Sequence, residues 1–335
     1  MAFQVMGVTA GRKDSNCEIL LKEALLACRE QGAEVRMINL KDYELLDCNG
    51  CTACTMGMSM GKNTGCSLAD KDDKQKIMDV MLEQDAVIFS APTYDLMPSS
   101  LFLKFMHRNL AYESAFLTKI GAIAPRDRVG ALIAVGGSTR SWQSMALECM
   151  QATTFTNSFK IVDTYMATQV PAPAQVLLYE EKVARAREMG LNVMKALNTP
   201  PAERKWLGDP DYGWCPNCHS NALCLGEPPV EGAAVPHRVR GVRRGRHPGQ
   251  TEDGRWENFV IAENGLERDR TTEEGRGGSL RRDRRDPGRL LHGSGQAPAG
   301  GRAPAQVPEH PVPRHLRKES DCLEIRASVF PHAGG

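Results

Sequence analysis

The sequence predicts an α/β fold in which helices cover both faces of a doubly wound, five-stranded parallel sheet. Two observations carry the prediction. Across the first 200 residues, five short apolar runs alternate with five amphipathic stretches, the pattern that βαβ units leave in a sequence. The runs at residues 86–91 and 129–135 are almost wholly apolar, as strands are when a parallel sheet is covered on both sides.

The elements follow in order. Residues 3–9 form a short apolar run and read as the first strand. Ser15-Asn16-Cys17-Glu18 then has the form of a capping box: the serine oxygen accepts from the third helical N–H and the glutamate reaches back. The helix it opens runs to about Gln31, where Gly32 suits a stop. Residues 34–40 alternate with period two, a strand, and residues 72–84 are helical in character. After the strand at 86–91, Pro98 opens a helix with Leu101, Phe102, Phe105 and Met106 on one face. The strand at 129–135 is followed by a helix around 141–151 and a strand near 159–166. The last helix spans about 175–197, with Val176, Tyr179, Val183, Ala186, Gly190, Val193 and Leu197 in one stripe.

Of the 335 residues, 41% are hydrophobic and 25% charged, ordinary for a soluble chain. No run approaches the length of a membrane span. The N-terminus begins directly as a strand, without the basic and apolar regions of a signal peptide, so a cytoplasmic protein is expected. A net charge of +1 argues against a polyanionic partner. Residues 1–200 read as the folded domain, with a cysteine-bearing insert at 48–66. Residues 201–229 read as a short cysteine-containing extension. Residues 230–335 are rich in Arg, Gly and Pro, with little apolar periodicity. Such a stretch buries too little to offset its chain entropy, so a disordered tail is expected; an out-of-frame reading of a GC-rich gene gives the same composition. Within it, residues 256–262 read as an island of strand. The basic runs there lack interleaved aromatics, so nucleic acid is not an expected partner.

In a doubly wound sheet, ligands sit outside the C-terminal strand ends. The loop after the first strand, Thr9 to Cys17, carries hydroxyls, an amide, the cations Arg12 and Lys13, and Gly11. It leads into a helix N-terminus, which favours an anion, and so suits a phosphate monoester through Thr9, Arg12, Lys13, Ser15, Asn16 and Cys17. It is neither a dinucleotide fingerprint nor a nucleoside-triphosphate loop. The loop after the third strand, Pro92-Thr93-Tyr94-Asp95-Leu96, offers a fixed backbone and an aromatic ring to a flat ligand. Gly136 and Gly137 end the fourth strand and would let backbone approach a ring closely.

Eleven cysteines is many for a reducing compartment, where clustered thiols point to metal or redox chemistry. Cys28 and Cys149 each stand alone in apolar helical patterns and read as core thiols. Cys48, Cys51 and Cys54 are spaced C-x-x-C-x-x-C, and Cys66 follows after eleven residues. Four thiolates from one segment suit a [4Fe–4S] cluster, with zinc and free thiols as the alternatives. Residues 55–65 show no helical or strand pattern, and Gly50, Gly57, Gly61 and Gly65 would let the loop return. Cys215-Pro216-Asn217-Cys218 looks like half of a zinc ribbon. Lys104, His107 and Arg108 read as a solvated helix face.

Residues 1 to about 110 resemble the NADPH-dependent FMN reductase-like branch of the flavodoxin superfamily, and more narrowly the iron–sulfur flavoproteins. The resemblance lies in Gly7 to Glu18, Asn39-Leu40, the cysteine group, Ala91-Pro92-Thr93-Tyr94 and the helix through Arg108. Gly11-Arg12-Lys13 stands where Ser-Pro-Arg is usual, and Asp95-Leu96-Met97 replaces Phe-Gly-Ser. The resemblance implies a flavodoxin-like fold and FMN, its phosphate in the first loop and its isoalloxazine flanked by Pro92, Thr93 and Tyr94. It also implies an iron–sulfur cluster on the compact cysteine motif, and homo-oligomers that place one subunit's cluster near a neighbour's flavin. The expected activity is electron transfer from ferredoxin or NAD(P)H through FMN to an acceptor. No acid–base pair is needed, because the flavin carries the electron chemistry. The alternatives are a cluster-free NAD(P)H-dependent FMN or quinone reductase, and a non-enzymatic electron carrier.

Overall fold

The computed structural model describes residues 2–213, His219 and three short strands beyond them. In chain order the elements are β1 (Gln4–Thr9), α1 (Asn16–Glu30), β2 (Glu34–Asn39), α2 (Ala53–Ser59), α3 (Lys74–Met81), β3 (Ala86–Tyr94), β4 (Met97–Pro98) and α4 (Ser100–His107). They continue with α5 (Ser114–Lys119), β5 (Arg128–Val135), α6 (Ala146–Thr154), β6 (Phe159–Ala167) and α7 (Glu180–Leu197).

Five strands pair in parallel in the order β2-β1-β3-β5-β6. This is the flavodoxin-like order, with its switch point between β1 and β3. One face is packed by α1 and α7, through Leu20, Leu21, Ala24, Met189 and Val193. The other is packed by α3, α4 and α6, through Ile77, Phe102, Phe105 and Met150. With both faces covered, every residue of β5 is buried, the physical reason its sequence reads as one apolar run.

The sheet has a sixth strand beyond the five expected. β4 folds back on β3 in antiparallel register, Thr93 facing Pro98 and Tyr94 facing Met97. The two residues between, Asp95 and Leu96, both take left-handed backbone angles, φ 45° and 72°; two such residues in succession make the tight hairpin turn that matches strand twist. Helices α2 and α5 are likewise additional. The first replaces part of the structureless loop expected at 55–65.

Past α7 the chain returns along the edge of β6, where the Leu207 N–H donates to the Val162 carbonyl over 2.9 Å. His219 is buried, its Nδ1 hydrogen-bonded to the Ile161 carbonyl oxygen. Cys215 and Cys218 lie outside the described residues. Further on, β7 (Cys224–Leu225) pairs in parallel with β8 (Arg238–Arg240), which pairs antiparallel with β9 (Val260–Ile261). The last falls within the island at 256–262. None of the described helices is long and apolar enough to cross a membrane.

Candidate functional site

The first loop leaves β1 at Thr9, which is buried. Its Oγ1 accepts from the Gly11 N–H over 3.0 Å, and the Ala10 N–H donates to the Ser90 carbonyl over 2.9 Å, tying the loop to β3. Ser15 caps α1 by accepting from the Glu18 N–H. Glu18 reaches back one residue further than a capping box requires, accepting from the Asp14 N–H over 2.7 Å. Arg12 and Lys13 are exposed in front of the helix N-terminus. Two exposed cations thus precede a capped helix start, whose dipole favours an anion.

Two residues expected in this loop's ligand set point elsewhere. The Asn16 amide donates to the Val170 and Ala172 carbonyls over 2.9 Å each and accepts from the Val176 N–H over 3.0 Å. It pins the segment after β6 to the head of α1. The Cys17 sulfur is buried in the core, and burial pushes its pKa up to about 12.

The second loop is the hairpin of β3 and β4. Tyr94 is 61% exposed at its tip and Met97 40% exposed beside it. Thr93 Oγ1 and Ser99 Oγ are buried without a hydrogen-bond partner. An orphaned buried hydroxyl is costly unless something meets it, and a polar flavin edge at the end of β3 would meet Thr93. If so, Thr93→Val is expected to weaken FMN binding roughly fivefold to tenfold, the worth of one hydrogen bond. The flavin-free protein should lose no stability. Fluorescence titration and thermal melts of the variant read the two effects separately.

The third loop differs from expectation. A Cβ at Gly136 would lie 2.5 Å from Gln143 Cδ, and one at Gly137 would lie 2.9 Å from Pro171 Cβ. These glycines make room for the protein's own side chains. The same loop carries Trp142, 66% exposed, and ends at Met145, whose N–H donates to the Leu96 carbonyl over 3.1 Å. Tyr94, Met97, Trp142 and Met145 are thus exposed apolar side chains on the loops that leave β3 and β5, three of them beyond the residues the sequence had suggested.

The cysteine segment follows β2. Its stems are zipped: the Glu44 N–H donates to Asp73 Oδ2 and the Asp73 N–H to the Glu44 carbonyl, each over 2.9 Å. Further in, Cys51 Sγ lies 3.0 Å from Ser67 Oγ, and Thr64 Oγ1 donates to the Ala53 carbonyl over 2.9 Å. Gly50, Gly61 and Gly65 turn the chain at positive φ. The eleven-residue gap before Cys66 is thereby closed: the far cysteine returns to Cys51 and Cys54, and Cys54 feels the charge of both. The Ser67 hydroxyl holds the Cys51 thiol below its ordinary pKa, while burial raises that of Cys54. All four thiols are free, and soft unbridged sulfurs are the donors iron–sulfur clusters take. The backbone is closed but the sulfurs are not gathered: among the described residues no three Cys, His, Asp or Glu side chains stand at metal-ligating distance. Cys28 is a core thiol; Cys149, expected to be one, is only half-buried.

Behind this segment lies Lys74, wholly buried, donating through Nζ to the Phe105 carbonyl and Asn109 Oδ1. Burial first, then the nearby Arg108 guanidinium, hold its pKa well below 10.5. The unfolded chain therefore binds a proton that the folded one lacks. That contribution to stability is complete above about pH 10.5 and is lost as pH falls towards the folded-state value. The unfolding free energy of the parent protein, minus that of Lys74→Met, is expected to rise with pH in the range just below about pH 10.5. Urea unfolding of both proteins at three pH values measures that slope.

Residues 5–171 match the family model of the NADPH-dependent FMN reductases. An iron–sulfur flavoprotein of Methanocaldococcus jannaschii is 31% identical over 147 residues, 44% of this chain and 68% of that protein. The chain belongs to the NADPH-dependent FMN reductase family, alongside the iron–sulfur flavoproteins. Membership makes it a flavin-dependent oxidoreductase with FMN as its cofactor. A flavone synthase of Aspergillus candidus is 26% identical over 285 residues, 79% of this chain and 87% of that protein. A solved flavone reductase superposes with a TM-score of 0.60 at 21% identity, covering 87% of this chain and 93% of its own; at that identity the likeness is one of fold.

Proposed function

We propose that this FMN reductase relative carries a [4Fe–4S] cluster on Cys48, Cys51, Cys54 and Cys66 and passes electrons from ferredoxin or NAD(P)H through FMN to an acceptor. The observation that carries the reading is the closure of the cysteine segment, in which the Cys51–Ser67 and Thr64–Ala53 contacts return Cys66 to the first cysteines. The head of α1, with Ser15, Arg12 and Lys13, would hold the FMN phosphate. Thr93 would hydrogen-bond the ring edge, with Pro92 and Tyr94 beside it. When bound, the flavin supplies the one- and two-electron chemistry. The chain's own contribution is orientation, through the β3–β4 hairpin, and the exposed apolar side chains on the loops after β3 and β5, which would limit water around the reacting edge. An anaerobic absorption spectrum with flavin and iron analysis tests the reading. Flavin with about four irons per chain supports it, and flavin without iron removes the cluster.

A second reading has its own support: a cluster-free NAD(P)H-dependent reductase acting on a flat aromatic acceptor such as a quinone or a flavone. The flavone synthase relative aligns over more of this chain than the iron–sulfur flavoprotein does. The exposed Tyr94, Met97, Trp142 and Met145 suit an apolar planar molecule. Steady-state turnover of a quinone and a flavone by iron-free, FMN-loaded protein with NADPH decides it.

A further inference from the structure

The last register pair between β3 and β5 is Pro92 with Val135. The residues that follow it are Thr93 on one strand and Gly136 on the other, and a buried polar atom without a partner stands at each. At β3 it is Thr93 Oγ1. At β5 it is Oε1 of Gln143, whose amide lies over Gly136. A Cβ at Gly136 would stand 2.6 Å from that oxygen and 2.9 Å from Nε2, so glycine is what admits the amide. Gln143 is 1% exposed, and its orientation is fixed: Nε2 donates to the Ser138 carbonyl over 3.2 Å. Only the nitrogen of an amide side chain can donate to a carbonyl, so Oε1 is left as a free acceptor. The Met145 N–H, donating to the Leu96 carbonyl over 3.1 Å, ties the loop that carries Gln143 to the hairpin that carries Thr93.

We infer that Gln143 is a flavin-binding residue whose Oε1 accepts the N3–H of the isoalloxazine, while the Thr93 hydroxyl donates to an adjoining ring carbonyl. A buried acceptor and a buried hydroxyl that do not bond each other are costly in the empty protein. The pyrimidine edge of the flavin answers both, because it carries one N–H between two carbonyl oxygens. A quinone edge offers carbonyls alone; it would satisfy Thr93 and leave Oε1 unmet. The pair therefore reads the cofactor rather than the acceptor. The glycine at 136 contributes indirectly, by making room for the glutamine amide that meets the ring.

This inference rests on the seat proposed above for the flavin ring, and the experiment separates the two. The full chain, freed of flavin, is titrated by fluorescence with FMN and with N3-methyl-FMN, which lacks the N–H. The parent protein should bind FMN roughly tenfold more tightly than the methylated form. Gln143→Leu, of similar size and without an acceptor, should bind FMN roughly fivefold to tenfold more weakly. Its affinity for N3-methyl-FMN should stay near the parent's, so the preference disappears. Thr93→Val loses a different bond: both ligands should weaken alike and the preference should remain. Thermal melts of the flavin-free proteins check the fold; should Gln143→Leu not melt cooperatively, Gln143→Ala decides in its place. A parent protein without the preference, or a preference that survives in the Gln143 variants, overturns the inference and leaves Oε1 to an internal water. Folded parent protein that binds neither flavin overturns the seat of the ring itself, and this inference with it.

Discussion

Replacing Cys66 by serine is expected to lower the iron content from about four per chain to below one while FMN stays bound. The reasons lie in different parts of the fold. The cysteine segment follows β2, whereas the proposed phosphate loop and the hairpin lie at the ends of β1 and β3, so the proposed flavin site is built without the sulfur. Arg108 donates from Nε and Nη2 to Cys66 Sγ, over 3.4 Å each. Serine keeps a hydrogen-bond acceptor for that fork, so the segment stays fastened, but a hydroxyl is a harder and poorer iron donor than a thiolate. Cys149→Ser, on α6 and away from the segment, is the control and should keep its iron. Parallel flavin and iron analysis of the two variants, with absorption spectra, makes the measurement. Iron retained in Cys66→Ser at the parent level would mean that the closed loop is structural and that another residue completes the ligand set.

What was legible in the sequence follows from the range of the forces involved. The five parallel strands were readable because burial on both faces leaves an unbroken apolar run, as at β5. The cap of α1 was readable because Ser15 and Glu18 act within four residues. What was missed is non-local. The Asn16 amide looks like a ligand group until the backbone at 170–176 arrives to take it. Arg108 looks like one more cation on a helix until Asp72, Leu46 and Cys66 close around it. Gly136 suggests access for a ring, and only the fold brings Gln143 into that space. Helix α2 escaped for a local reason: it is seven residues long, contains Gly57, and starts from Thr52 in a left-handed conformation without a side-chain cap. The one available signal for Arg108 was its apolar company, since Phe105 and Met106 lie three and two residues before it.

Gly11→Ala is expected to weaken FMN binding roughly a hundredfold, the equivalent of about 3 kcal/mol of overpacking. The added Cβ would stand 2.6 Å from Ser15 Oγ and 2.7 Å from Cys17 Cβ. Neither atom is a free end that can swing away. Ser15 Oγ is committed to the Glu18 N–H, and Cys17 Cβ belongs to the first turn of α1, packed against the core. The head of the helix and the loop must therefore move apart, and the N–H groups that would meet the phosphate lose their common aim. Titrating flavin-free protein with FMN and with riboflavin, which has the ring but no phosphate, gives the sharper result. If the loop holds the phosphate, the parent protein prefers FMN strongly and Gly11→Ala loses most of that preference, because riboflavin binding depends on the hairpin and is little changed. If both ligands weaken by the same factor, the loop shapes the ring site instead and the phosphate is held elsewhere.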